Sequence, residues 1–485
     1  MYKTLIKHKY LILLVLFFLI LRIPSLFEPY WYGDEGIYLV LGQAIRKGIT
    51  LYSRIHDNKP PSLYYLAAFS QTVFGFRLLL LFFMIPTIYF FHRLSLFFLS
   101  LKASKIATFI FLILTSIPLF EGNIANAEVF MLLPTLIAVY LLTKIKPNLN
   151  SIVISGFLLG LAFTIKIPVA IEFAFLCLWF FIDDLTSSKK IFLNIKNILI
   201  FSLSFLLPIF LWGIYYYFKG AFRPFLIASI LQNFGYLSSW STGTQSSSVA
   251  SGGIINRFII LLISWALIFL LKIKKLISSK FSFLLFWFSA TIFGVLLSGR
   301  PYPHYLIQSL PPLILIIVEI FNFKDKKVQF LSLFSVFFFA FVLFKFKFYF
   351  YPVIRYYSNF YSYILSQKST VDYQNYFGYQ VNDIYQISDF IKNNTKPEDK
   401  IFIWGDEPYI YALADRLPSS KYTVAYHILD FNGYQLTMDK IKANLPKFIV
   451  YYQMPNRSFP DLDIFIRNYY FIDKIIGNAT ILKLR

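Results

Sequence analysis

Long apolar runs alternate with short polar breaks along the first 345 residues. The runs lie near 10–27, 77–99, 106–121, 127–143, 151–165, 168–182, 197–218, 255–271, 281–299, 303–321 and 328–345, and each predicts a membrane-crossing helix. Several fall short of the ~20 residues a straight crossing needs, so they extend into their flanks or cross where the bilayer is thin. Pro60 to Gly75 is apolar and aromatic, but a full span there would break the alternation of sides. A re-entrant or interfacial helix is expected instead, with a paired extra span as the alternative. The expectation is thus an α-helical polytopic membrane protein with about 11–13 transmembrane helices. After Phe346 the composition turns ordinary. Short β-like runs appear at Lys400–Trp404, Lys447–Tyr452 and Thr480–Leu484, with helical patterns at 381–393 and 407–416. Residues 1–345 are therefore read as the transmembrane domain and 346–485 as a small α/β domain.

Charge supplies the sidedness. Lys102/Lys105, Lys144/Lys146, Lys189/Lys190, Lys272/Lys274/Lys275 and Lys324/Lys326/Lys327 fall in alternate breaks. That is the bias of loops that remain in the cytoplasm. Lys3, Lys7 and Lys9 precede the first run, which has no small-residue cleavage site after it, so it is taken as a transmembrane helix with its N-terminus inside. The same alternation puts 28–62, 121–126, Lys166, 219–253, Arg300–His304 and the C-terminal domain outside. Ser238–Gly253 is a Ser/Gly-rich loop with a mobile composition.

Composition agrees with a membrane class: 58% hydrophobic, 21% aromatic and only 14% charged, against about a quarter charged in soluble domains. The formal charge of +22 comes as short clusters between apolar runs, not as one basic soluble face, which argues against nucleic acid as a partner. Cys177 stands alone inside an apolar run, so an intrachain disulfide is excluded.

Ionisable groups beside hydrocarbon are costly and tend to mark function. The first outer loop concentrates them, with Asp34-Glu35 and then Asp57-Asn58-Lys59-Pro60-Pro61. Ile37, Tyr38, Leu41 and Ile45 follow helical spacing behind the carboxylate pair. Asp34 can cap that helix, or, partly desolvated beside Trp31 and Tyr32, act as a general base. Glu35 in the first turn favours the helix dipole. Lys59 is either a snorkelling interfacial lysine or a cation for a phosphate at headgroup level. Glu128, with Asn123 and Asn126, forms a second outer patch, and Lys166 sits in a short turn before Pro168. Arg300 and His304 occupy the proline-rich turn Gly299-Arg300-Pro301-Tyr302-Pro303-His304. All map to one side. Carboxylates and cations converging there suit transfer from an anionic lipid carrier, with a base for the acceptor and cations for the departing phosphate. Asp, Glu and His could in principle hold a divalent metal, but no metal-ligand spacing is present, and no cofactor is expected.

These residues carry a resemblance. WYGDEGIYLVLGQAIRKG at 31–48 followed by DNKPPSLYYL at 57–66 resembles the first extracytoplasmic loop of the GT-C glycosyltransferases. The branch is that of bacterial dolichyl-phosphate-mannose-protein mannosyltransferase-like and aminoarabinose (lipid A) transferase-like enzymes. NIANAEVFMLLP at 123–134, GFLLGLAFTIKIP at 156–168, GRPYPHYLIQSLPPL at 299–313 and IFIWGDEPYIYALADRLPSSKY at 401–422 are similar to the same group.

The resemblance implies a metal-independent, inverting transfer of a sugar from a polyprenyl-phosphate carrier to a lipid, glycan or protein acceptor. It implies the extracytoplasmic face of the plasma membrane, the inner membrane in a bacterium. Asp34 would be the catalytic carboxylate, with Glu35 supporting it or positioning the acceptor. Lys59 would meet the donor phosphate beside Asp57 and Asn58, and the related enzymes carry Glu where this chain has Asn58. Arg300 and His304 are inferred as further phosphate contacts. A transporter or flippase of lipid-linked saccharides would instead need ionisable groups at mid-membrane, where Glu172 is the clear candidate. An O-antigen polymerase or ligase would load a late outer loop, yet 219–253 holds Lys219 and Arg223 as its ionisable groups.

Overall fold

The computed structural model describes residues 2–143, 148–182, 188–233, 250–322 and 325–485. Side chains at 2–8, 188–192, 250–252 and 322 are not described. The Ser/Gly-rich stretch lies outside these residues up to 249, as do Lys144, Lys146 and Lys324, and the side chains of Lys189 and Lys190 do too. The chain divides into two compact units. One comprises Met1–Ile23, Leu79–Ile214 and Ile230–Val353; the other comprises Pro24–Leu78, Tyr215–Ser229 and Ile354–Arg485.

The first unit is helical. Among the described residues of the whole chain, six helices are long and apolar enough to cross a membrane: Lys9–Leu26, Val73–Phe98, Leu193–Phe218, Gly253–Ile273, Pro303–Phe321 and Lys326–Lys345. The runs near 127–143, 151–165, 168–182 and 281–299 form the helices Ala127–Thr143, Leu149–Phe163, Val169–Ile182 and Ser279–Val295. Each has 14–17 residues, short of a straight crossing. The run near 106–121 becomes Leu101–Leu114 followed by a tight turn at Pro118–Phe120. Hydrocarbon offers no hydrophobic drive between helices, so small residues at close approaches matter. Gly156 and Gly160 supply one, since a Cβ on either would run into the backbone of Phe201 or Phe205.

The second unit combines the first loop with the C-terminal region. Its sheet has β1 (Ile401–Trp404) and β2 (Phe448–Tyr452) parallel. Then β4 (Ala479–Leu484) pairs antiparallel with β2 and with the edge strand β3 (Tyr470–Ile476), giving the order β1-β2-β4-β3. Phe402, Trp404, Ile428, Met438, Ile441, Ile449, Leu462 and Leu482 fill the core between sheet and helices. The expected strands and the helices Gln380–Asn394 and Tyr409–Ala414 are present. The sequence reading missed β3 because Phe471 to Ile475 are all exposed, and an edge strand without alternation gives no period-two signal.

Pro60–Gly75 yields a nine-residue helix, Ser62–Ser70, far too short to cross. Gln71 at φ 67° breaks it, and the next helix starts at Val73. The length of Ser62–Ser70 suits the re-entrant or interfacial helix expected there and not an extra span.

Candidate active site

The helix Gly33–Arg46 positions the first carboxylates. Its N-cap is Tyr32, which offers no side-chain cap, so Asp34 and Glu35 stand in the first turn, where the helix dipole favours negative charge. The capping role considered for Asp34 is thus taken by another residue. Gly42 allows this helix to lie directly on Ser62–Ser70, since a Cβ there would sit 2.6 Å from the Ala68 backbone nitrogen. The loop between the two helices is thereby folded back to bring Lys59 beside Asp34.

Two tyrosines hold the Lys59 backbone. Tyr52 donates its hydroxyl to the Lys59 carbonyl at 2.8 Å, and the Lys59 N–H donates to the Tyr64 hydroxyl at 3.1 Å. The Lys59 Nζ then lies 3.7 Å from Asp34 Oδ2 and 3.6 Å from Asp57 Oδ2. It also sits 5.0 Å from the Tyr38 ring centre. Tyr38 donates to Asp34 Oδ2 at 3.1 Å. The Asp34 side chain keeps 28% of its exposure and Lys59 16%, against 1% for Asp57. Asp34 and Lys59 therefore present charge at a partly open surface, and Asp57 supports them from beneath.

Burial opposes ionisation of Asp57. Lys59, His427, the Tyr64 hydroxyl and the Asn58 N–H together outweigh it and hold the carboxyl well below the usual carboxylate range. The Tyr64 hydroxyl donates to Asp57 Oδ2 and the Asn58 N–H to Oδ1, both at 2.7 Å. His427 Nε2 lies 3.6 Å from Oδ1.

Glu35 has a different setting from its neighbour. Arg77 donates through Nε to Oε1 at 2.9 Å and through Nη2 to Oε2 at 2.6 Å. The same guanidinium meets Glu28 Oε2 at 2.7 Å, and Tyr356 donates to Glu28 Oε1 at 2.5 Å. The side chains of Arg77, Glu28 and Glu35 are fully buried. Through Arg77, Glu35 is thereby linked to Glu28 and Tyr356.

Glu128, Lys166 and His304 come together in the first unit. Glu128 opens the helix Ala127–Thr143, Lys166 sits in the turn before Val169–Ile182, and His304 starts the tight turn Pro303–Ser309. Lys166 Nζ lies 2.7 Å from Glu128 Oε1, and His304 Nε2 lies 4.0 Å from the same oxygen. His304 Nδ1 also contacts Glu121 Oε2. Lys166 Nζ is 4.9 Å from the Tyr305 ring centre. Arg300 is half-buried in the turn preceding His304, its N–H donating to Ser298 Oγ at 3.3 Å.

Sequence reasoning missed Tyr38, Tyr64, Glu28, Arg77, Glu121 and His427. Tyr38, four residues after Asp34, is the one a helical pattern could have found. The others meet their partners through tertiary folding. Among the described residues, no group of three His, Cys, Asp or Glu is placed to hold a metal ion.

No protein-family model matches the sequence, and no curated protein matches it. Solved structures do. ArnT from Cupriavidus metallidurans bound to undecaprenyl phosphate has a TM-score of 0.57 at 12% identity, over 98% of this chain and 98% of that one. The same ArnT in the apo state gives 0.56 at 13% identity, again over 98% of each chain. The archaeal oligosaccharyltransferase AglB from Archaeoglobus fulgidus, in complex with an inhibitory peptide and a dolichol-phosphate, gives 0.47 at 12% identity, over 98% of this chain and 74% of that one. At such identities the likeness to ArnT concerns the fold. This chain is a multi-pass membrane protein with the GT-C fold, shared with ArnT along nearly the whole of both chains.

Proposed function

We propose that the protein is a membrane glycosyltransferase that moves a sugar from a polyprenyl-phosphate carrier to a lipid, glycan or protein acceptor, with inversion. The observation that carries the reading is Lys59 standing between Asp34 and Asp57 at a partly open helix start. ArnT, whose fold this chain shares, is bound to undecaprenyl phosphate in its solved structure, a carrier of the class proposed here.

Asp34 accepts the proton of the acceptor hydroxyl as its oxygen attacks the anomeric carbon. The bond from that carbon to the phosphate oxygen breaks, and the polyprenyl phosphate leaves with the bonding pair. Lys59 stabilises the charge gathering on that phosphate. Asp57 and Asn58 hold Lys59 in place, and Glu35 with Arg77 fixes the helix that carries Asp34. Glu128, Lys166, Arg300 and His304 are assigned to substrate binding. Work at the outer face of a plasma membrane is part of the same proposal.

Transport of the same carrier is the less favoured reading. Glu172 receives the Trp287 Nε1–H at 2.8 Å and the Gln308 Nε2–H at 2.9 Å. Both of its oxygens are thus engaged by neutral donors, an arrangement suited to anchoring. Purified protein in detergent distinguishes the two, because bond formation needs no second compartment. Release of polyprenyl phosphate together with a glycosylated acceptor supports the transferase, and its absence with active donor and acceptor contradicts it.

A further inference from the structure

The loop that carries Lys59 is tied to the C-terminal region just ahead of it. His56 donates its N–H to the Lys421 carbonyl at 3.0 Å. The short helix Ala425–Asp430 then presents His427 to Asp57. Asp57 faces the imidazole with Oδ1 and the Lys59 ammonium with Oδ2, at 3.6 Å each. Lys59 in turn stands 3.7 Å from Asp34. The result is an unbroken series of imidazole, carboxylate, ammonium and carboxylate. Lys59 is shared almost equally between its two carboxylates, so a modest change in the charge of one tips it toward the other.

His427 is buried, and its Nδ1 has no hydrogen-bond partner among the described residues. Neither ring nitrogen of buried His56, 6.3 Å away centre to centre, has one either. The imidazole of His427 is therefore not consumed by a structural bond on its far side. The groups that face it are Asp57, Lys59, Asp430 and Asp34, with the rings of His56 and Tyr426 against it.

We propose that His427 is a positioning residue that acts on Lys59 through Asp57. Protonated, it binds Asp57 as an ion pair and releases Lys59 toward Asp34 and a donor phosphate. Neutral, it leaves Lys59 divided. The consequence for the donor rests on the transferase reading; the coupling of His427 to Lys59 does not. Burial keeps His427 below the ordinary histidine range, Asp57 draws it upward and Lys59 pushes it down. The change of state accordingly belongs to the acid side of neutrality.

The test uses the full chain in detergent with undecaprenyl phosphate as the probe, its binding followed by native mass spectrometry from about pH 7.5 to about pH 5.5. Wild type and His427→Gln are compared, with His427→Asn as a second variant should the first fold poorly. The free carrier's phosphate titrates at about pH 6, a background shared by wild type and variants. The wild-type to variant affinity ratio is expected to grow toward acid, by up to about tenfold per pH unit for one coupled proton. A ratio constant with pH overturns the proposal. The imidazole signals give a readout without ligand: Lys59→Met should raise the titration of His427, and an unmoved titration overturns the coupling. Wild type that never binds the probe while that titration moves counts against the donor reading and upholds the coupling.

Discussion

Glu35 and Arg77 form a two-point ion pair, 2.9 Å at Nε and 2.6 Å at Nη2, from which solvent is excluded. The adjacent Asp34 turns to Lys59 and stays partly open. Two neighbouring carboxylates at one helix start thereby stand in opposite surroundings. A buried charge is tolerable only while it is paired, and removing one partner strands the other.

Arg77→Met should therefore destabilise the protein by about 3–5 kcal/mol, because Glu28 and Glu35 both lose their partner. Thermal unfolding in detergent measures it. A loss below about 1 kcal/mol, the range of exposed ion pairs, would contradict the buried clamp.

Gly42→Ala should cost about 1–3 kcal/mol by overpacking, since the new methyl meets the Ala67–Ala68 backbone and no flexible side chain can yield. Unfolding curves would register it. Because the contact also sets where Lys59 lies, carrier binding should weaken in the same variant.

Much of the fold was legible before any coordinates. Membrane helices need long apolar runs, and those runs became helices at nearly every expected position. Asp34, Asp57 and Lys59 were legible as one candidate cluster because charge beside hydrocarbon demands an explanation, and the fold brings them together. Their supports were not. Arg77 stands at the head of an apolar run, and nothing local ties it to Glu28, far earlier in the chain. His427 approaches Asp57 from the far end of the sequence, a pairing that no periodicity encodes. The edge strand β3 escaped for a simpler reason, its exposed Phe471 and Ile472.

Lys59→Met should weaken undecaprenyl phosphate binding by about tenfold or more, the cost of a lost charge-assisted contact of about 1.5–3 kcal/mol. Arginine in its place should restore only part of it, because its planar fork does not reproduce the position of the compact ammonium between Asp34 and Asp57. Unchanged binding by Lys59→Met would place the phosphate elsewhere.

Acid should destabilise the folded protein through His56. Burial, with His427 and Lys421 adding to it and Asp57 opposing, lowers its pKa from 6.5 to about 3. Between those values the unfolded chain binds the extra proton, so stability rises with pH there and is lost as pH falls. The slope from this group is at most about 1.4 kcal/mol per pH unit. His56→Leu should flatten the dependence of the unfolding temperature on pH in that window. An identical slope in the variant would show that His56 protonates freely in the fold.

As the proposed base, Asp34 is the residue on which sugar transfer depends. The most direct measurement of that dependence is mass spectrometry of envelope glycolipids and glycoconjugates from cells that carry the wild type, Asp34→Asn or no copy. Detergent-extracted variant must be confirmed to fold as the wild type does. A sugar addition should be present with the wild type and missing from both other strains. The same addition at wild-type levels in the Asp34→Asn strain would contradict that role for Asp34.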